Sequence, residues 1–295
     1  FDSSLEKFKL PLIKSNHDFD PLISDVVFLA LPHGISHNYV KNYINKIKII
    51  DLSADFRLKK LDTYKDSYDT IHSCPQFLKE FMYGLCEIYR NQLKNASNIS
   101  IPGCYPTSIL LALIPLLNNN IIDSKNIIID SKSGYSGAGK KFDKNNIKNN
   151  LDLNFFNYNT NNHRHISEIK QELDNFSNDN ISFSFNPHIL PNFRGMMSTI
   201  YCDLKSDATF EDVENILKSY CKENFFIDIY NKDKRADFFS VQNTNNCILK
   251  LFKSHHDNKI IIISLIDNLV KGAAGQAVQC FNLSFNINEE MALKK

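Results

Sequence analysis

The sequence is short of glycine and arginine. It has 9 glycines in 295 residues, where a usual share of about 7% would give roughly 20. Of its 34 basic residues only Arg57, Arg90, Arg164, Arg194 and Arg235 are arginine, and the other 29 are lysine. Asparagine, by contrast, occurs 36 times. Such a chain has drifted toward Lys and Asn wherever position allows, so the Gly and Arg that remain mark places where replacement is costly. Charge of one sign is also lacking: 34 basic against 33 acidic residues give +1, which excludes a basic nucleic-acid footprint and a polybasic membrane anchor. The longest apolar runs, 109–117 and 260–266, fall far below the roughly 18 residues of a membrane span. The seven cysteines include no CxxC pair. This suggests neither a disulfide framework nor a structural zinc site and fits a reducing, cytoplasmic setting. At 43% hydrophobic, the chain can bury a core of one large or two modest domains.

Strands and helices are expected to alternate in the first half. Residues 25–31 (DVVFLAL) read as a buried strand, 36–46 as a helix and 46–51 as the next strand. A strand ending at 100–102 leads through Gly103-Cys104-Tyr105 into a helix beginning at Pro106, and 126–131 forms a further strand. Beyond it the pattern becomes α+β. An amphipathic helix covers 165–176, strands cover 181–185, 197–204, 225–230, 247–252 and 259–265, and a helix lies near 209–222. A small-residue helix spans 268–283, and the Asn-rich stretches 118–126 and 144–162 read as loops. The expected class is α/β, a doubly wound unit joined to an α+β unit whose sheet is open on one face.

Four clusters follow predicted strands: Pro32-His33-Gly34, Ser53–Arg57, Gly103-Cys104 and Ser133–Gly139. Ligands bind beyond the carboxyl ends of strands in open α/β sheets, so these clusters suggest one shared site. Cys104, between Gly103 and a helix start, is the nucleophile candidate, because free N–H groups and the helix dipole favour its thiolate. A reactive Cys needs a proton partner. His163-Arg164-His165 is the densest basic group, and Glu168 falls on the helix face of His165, where it can orient that ring. His188 is a weaker alternative. Ser133–Gly139 can bring backbone N–H groups to a phosphate or a nicotinamide, although it is not a GxGxxG fingerprint. Arg57, Arg164 and Arg194 are anion-clamp candidates, since Lys cannot copy the planar guanidinium fork.

These clusters resemble one family. ALPHGISH (30–37), DLSADFRL (51–58), IPGCYPTSILLAL (101–113), SGYSGAGK (133–140), HRHISEI (163–169), NPHILPNFRGM (186–196) and DNLVKGAAGQAVQ (267–279) together resemble N-acetyl-gamma-glutamyl-phosphate reductase of arginine biosynthesis. The resemblance runs in order from about residue 20 to residue 283, and GCYPT with HRHxxEI separates it from aspartate-semialdehyde dehydrogenase, which shares the cysteine chemistry. It implies NADPH-dependent reduction of an acyl phosphate to a semialdehyde, with phosphate release, through a thioester on Cys104. His163 would be the acid/base by the family match, whereas helix geometry favours His165, and the choice stays open here. Pro32, His33, Gly34, Ser133, Gly134, Ser136, Gly137 and Asn268 would line NADP(H).

The resemblance further implies a small-molecule substrate, a homo-oligomer (dimer or tetramer), and no nucleic-acid or membrane partner. An NAD(P)-binding domain of 1–104 with 268–295 would flank a catalytic and dimerisation domain of 105–267. Family members open with a strand and a Gly-rich pyrophosphate turn, and no Gly precedes Gly34. The first βαβ unit is therefore expected to be absent, and the chain alone to have little activity. Alternatives from the residues are a related semialdehyde dehydrogenase acting on an amino-adipyl or aspartyl phosphate, a Cys/His acyl hydrolase, or an inactive oligomerising remnant.

Overall fold

A computed structural model describes residues 18–138, 154–256 and 258–295. Gly139 and the first part of the 144–162 stretch lie outside them. The elements, in chain order, are β1 (Val26–Leu29), α1 (Ser36–Tyr43), β2 (Lys48–Asp51), α2 (Leu61–Tyr68), β3 (Phe81–Tyr83), α3 (Cys86–Leu93), β4 (Asn98–Ser100), α4 (Cys104–Asn118), β5 (Ile127–Gly134) and β6 (Phe156–Asn157). They continue with α5 (His165–Asp174), β7 (Phe183–Leu190), β8 (Met196–Asp203), α6 (Phe210–Glu223), β9 (Ile227–Tyr230), β10 (Cys247–Lys253) and β11 (Lys259–Ile266). A π-helical turn, Val270–Ala274, then runs into α7 (Gly275–Ser284).

Two sheets organise these elements. The first has the order β1-β2-β4-β3 and is parallel throughout. Parallel neighbours require crossovers, and α1 and α3 supply two of them. The second sheet has the order β6-β7-β5-β8-β11-β10-β9, with parallel pairing at β5–β7 and β9–β10 and antiparallel pairing elsewhere. Its strand β8 alternates buried and half-buried side chains along its whole length, as a sheet with one covered face should.

Helix α4 is apolar on all sides, so it must be buried on all sides. Leu110, Leu111, Leu113 and Leu116 are fully enclosed, in one core with Ile129 of β5, Ile200 of β8 and Ile262 of β11. Helix α7 returns to the other sheet, where Ala277, Cys280 and Leu283 pack on Ile50 and Ile99. Among the described residues no helix is long and apolar enough to cross a membrane.

The predicted alternation matches this architecture, with three corrections. Helix α4 starts at Cys104 with Gly103 as its N-cap, so Pro106 lies inside its first turn. Ser133 and Gly134 are the last residues of β5, and the turn begins at Tyr135. The strand β5 belongs to the second sheet, so the four clusters come from two sheets. Elements α2, α3, β3 and β6 had no sequence prediction.

Asparagine does the conformational work that glycine usually does. Among the described residues the left-handed region holds Asn45, Asn120, Asn126, Asn159, Asn161, Asn243, Asn258 and Asn286, with Asp69 and Ala292, against two glycines, Gly34 and Gly195. Asn tolerates positive φ because its short amide bonds locally, whereas a branched side chain is strained there by about 1–2 kcal/mol. Asn126, exposed at φ 60° before β5, isolates the effect. Asn126→Gly is expected to leave urea-unfolding stability within about 0.5 kcal/mol, and Asn126→Val to lower it by about 1–2 kcal/mol.

Candidate active site

The site begins where β4 ends. Ile101-Pro102-Gly103 carries the chain from the first sheet into the amino end of α4, and Cys104 is the first residue of that helix. A Cβ on Gly103 would lie 2.5 Å from Nε2 of His165, and one on Gly272 would lie 2.8 Å from Cβ of Cys104. The two glycines let an imidazole and a backbone turn close on Cys104 from two sides. Between them is a cavity of about 200 Å³, lined by Arg57, Gly103, Cys104, Arg164 and His165 and, across from these, by Ser136, Gly137, Asn268, Gly272 and Ala273.

Glu168 sets the geometry. It is fully buried in α5. Oε1 accepts the Gly103 N–H at 2.8 Å and the Tyr83 hydroxyl at 2.8 Å, and Oε2 meets Nη1 of Arg57 at 3.3 Å. Arg57 spends its other bonds inside the protein, from Nε to Ile101 O at 2.7 Å and from Nη2 to Leu52 O at 2.9 Å. The expectation that Glu168 orients His165 is thus corrected. The i,i+3 spacing does put both on one face, but three donors from the first sheet draw the carboxylate away from the ring.

The two histidines differ. His163 accepts the His165 N–H on Nδ1 at 3.1 Å, which leaves its proton on Nε2, 3.4 Å from the Tyr158 hydroxyl. That hydroxyl donates to Tyr105 Oη at 3.1 Å, and Tyr105 in turn to His188 O at 3.4 Å. His163 is therefore a fully bonded ring outside the cavity. His165 lines the cavity, and its Nδ1 has no hydrogen-bond partner among the described residues. Both are kept neutral at ordinary pH. Burial, helped by Arg164, pulls His163 down to about 4. Burial, with His163, Arg57 and Arg164, pulls His165 well below its usual 6.5.

The thiol itself departs from expectation. Burial raises Cys104 to about 11, against the opposing pull of the Tyr105 N–H and of the Arg57 and Arg164 charges. The helix start was expected to lower this value. It does pull in that direction, but loss of water is the larger effect.

Of the three arginines, Arg164 is exposed, lines the cavity, and has no ion-pair partner among the described residues. Arg194 lies outside the cavity and is held by Asp267 at 3.5 Å and by Asn243. Of the expected cofactor residues, Ser136, Gly137 and Asn268 line the cavity. Asn268 ties its walls together, donating to Ser136 Oγ at 3.0 Å and accepting the Gly195 N–H at 2.8 Å. Ser133 is buried, and the Gly134 N–H is bonded to Gly195 O at 2.8 Å. Pro32 and His33 are exposed beyond β1, and Gly34 N–H donates to Asp55 at 2.7 Å. All three lie away from the Cys104 cavity. His188 pairs with Asp130 at 3.1 Å, also away from it. Tyr83, Tyr105 and Tyr158 were missed, because a lone aromatic residue carries no spacing signal.

Two matched relatives carry one name. The N-acetyl-gamma-glutamyl-phosphate reductase of Ehrlichia canis (strain Jake) is 45% identical over 95% of this chain and 81% of its own length. That of Caldicellulosiruptor bescii is 46% identical over 98% and 81%. The chain belongs to the N-acetyl-gamma-glutamyl-phosphate reductase family. Within this family member, residues 6–96 match the semialdehyde dehydrogenase NAD binding domain and 104–268 match the semialdehyde dehydrogenase dimerisation domain. The fold is shared with aspartate semialdehyde dehydrogenase II from Vibrio cholerae, at TM-score 0.70 and 17% identity over 92% of this chain and 83% of that one. It is also shared with the Candida albicans aspartate semialdehyde dehydrogenase solved with NADP, at TM-score 0.60 and 13% identity over 88% and 76%. As a reductase of this family the protein is an oxidoreductase that uses a nicotinamide cofactor.

The buried Arg57–Glu168 pair gives a test. Arg57→Met or Glu168→Gln alone leaves one buried group without its partner and is expected to cost about 3–5 kcal/mol in urea unfolding. The double variant should recover a measurable part of that loss. Simple additivity would show that the pair is not coupled.

Proposed function

We propose that the chain reduces N-acetyl-gamma-glutamyl phosphate to N-acetylglutamate semialdehyde with release of phosphate, using NADPH. The observation that carries this reading is a half-buried thiol, Cys104, facing a neutral imidazole, His165, in a cavity with an uncommitted guanidinium at its rim. Cys104 Sγ attacks the acyl carbon. A C–S bond forms, the C–O bond to phosphate breaks, and the thiol proton passes to His165. The nicotinamide cofactor, when bound, supplies the hydride that takes the acyl group to the aldehyde level. His165 then gives its proton to the developing oxyanion, recovers it as the C–S bond breaks to leave the thiolate, and returns it to Sγ to restore the thiol. His163 acts as a positioning residue. Its Nδ1 holds the His165 backbone, and its ring is locked by the Tyr158–Tyr105 chain.

Arg164 is the anion clamp in this reading, and Arg57 is a positioning residue because its fork is spent on Glu168 and two carbonyls. Residues lining the cavity fit a flat ring. Gly137 and Gly272 offer a wall without side chains, and Asn268 and Ser136 supply amide and hydroxyl groups beside it. The Pro32–Gly34 turn would serve a more distant part of the cofactor. Residues 1–104 with 268–295 form the cofactor domain, and 105–267 the catalytic and dimerisation domain. The open face of the second sheet supports a homo-oligomer, dimer or tetramer.

Phosphate-dependent reduction of NADP by the semialdehyde is the test. Cys104→Ala should lower the rate by about 10⁴-fold or more, and His165→Asn should lower kcat far more than His163→Asn. Ester turnover without nicotinamide would favour a hydrolase instead. The pH dependence has a definite sign. With the thiol at about 11, alkylation of Cys104 by iodoacetamide in the unliganded chain should rise about tenfold per pH unit from 7 to 10. A plateau near neutrality would overturn the assignment.

A further inference from the structure

A second cluster of ligating side chains lies beside the first sheet, apart from the Cys104 cavity. His37 on α1 and His72 and Cys74 in the segment before β3 are all buried. One ligand atom from each lies within 4.8 Å of the other two. The sequence contains no CxxC and predicted no metal site. Folding alone brings His37 beside the His72-x-Cys74 pair, 35 residues away in sequence.

Three further observations fit a ligand set. His37 Nε2 is buried and has no hydrogen-bond partner among the described residues. It lies 3.7 Å from Oδ2 of Asp55, which places a carboxylate in reach as a fourth ligand. His72 meets the Asp55 carbonyl through Nε2 at 2.8 Å. That contact puts its proton on Nε2, and the Nδ1 lone pair accepts the Cys74 N–H at 3.3 Å, a bond that an ion on Nδ1 would displace. A metal-bound histidine ordinarily holds its other ring N–H to a carbonyl in this way. Zinc bonds of about 2.0–2.3 Å set tetrahedral edges of roughly 3.4–3.7 Å. The His37–Asp55 spacing already matches, and closing the cysteine corner needs side-chain movement of about an ångström.

We propose that His37, His72 and Cys74, with Asp55, form a binding site for a zinc-like divalent cation. The donor set of two imidazoles, a thiolate and a carboxylate selects a borderline-soft tetrahedral ion over magnesium or calcium. Binding releases the Cys74 proton to solvent and ties α1 to the loop that carries Asp55. That aspartate also holds the Gly34 N–H at 2.7 Å and the Tyr64 hydroxyl at 2.8 Å, so the ion would brace the turn after β1.

The test uses the full chain, stripped with a chelator and titrated with Zn²⁺ or Co²⁺. One ion per chain is expected, with a tetrahedral cobalt spectrum that includes a thiolate charge-transfer band and a higher melting temperature. Cys74→Ser should remove that band and weaken zinc by at least about 100-fold, since outer-shell losses alone cost about 10–100-fold. His37→Gln, which keeps the ring volume roughly filled, should weaken zinc similarly and guards against misfolding of the first variant. Cys104→Ser should leave binding unchanged. No stoichiometric binding, or binding that survives both Cys74→Ser and His37→Gln, or binding lost in Cys104→Ser, would overturn the proposal.

Discussion

The Glu168 carboxylate is the constraint on which the site depends. It sits on α5, against the second sheet, yet every donor it accepts comes from the first: Arg57 beyond β2, Tyr83 in β3 and Gly103 beyond β4. Burying a carboxylate and a guanidinium costs several kcal/mol per ion, which close pairing and full hydrogen bonding only just offset. The return is specificity of arrangement. With the Gly103 N–H fixed on Oε1, the chain can enter α4 in one direction only, and Cys104 faces the cavity. Arg57 fastens the same corner from beneath, through the carbonyls of Ile101 and Leu52. A lysine carries its three N–H donors on a single nitrogen and cannot span acceptors as far apart as the rigid guanidinium fork does. An arginine therefore persists here in a chain otherwise committed to lysine.

Space is the second constraint. The scarce glycines fall into two kinds. Gly34 adopts positive φ with room for a Cβ, and Gly195 combines positive φ with a Cβ position 2.5 Å from Cγ of Phe238. Gly103, Gly134 and Gly272 instead stand where a Cβ would come within 2.5–2.8 Å of a neighbour. Asparagine can substitute in the first role, and does so repeatedly, but nothing with a side chain can substitute in the second. Glycine thus survives chiefly at close approaches, and two of those approaches flank the same sulfur.

This distinction explains what could be read from the residues in order. The order of strands and helices was legible because apolar runs of strand length end at Pro, Gly or Asn. Cys104 and the Ser136–Gly137 turn were legible because their clusters follow predicted strands, Arg164 and His165 because they form the densest basic group, and Asn268 only through the family resemblance. The direction of the Glu168 carboxylate was not, since helix spacing gives a face and not a partner on another sheet. Nor was the fork of Arg57, whose acceptors are two backbone carbonyls, or the tyrosine chain through Tyr158 and Tyr105. The His37, His72 and Cys74 group escaped for the same reason, because it exists only once α1 folds over the loop before β3.

The electrostatics of Cys104 look at first unfavourable to a nucleophile. With burial holding the thiol up at about 11 and the His165 imidazole well below its usual value, moving the proton between them is uphill in the resting site, and the attraction within the ion pair so formed returns part of that cost. A resting pair of neutral groups is therefore compatible with rapid acyl transfer, provided the proton leaves as the C–S bond forms. It also protects the sulfur between turnovers, because oxidation follows thiolate character. Burial thus costs the nucleophile little when an acyl phosphate is present and shields it when none is.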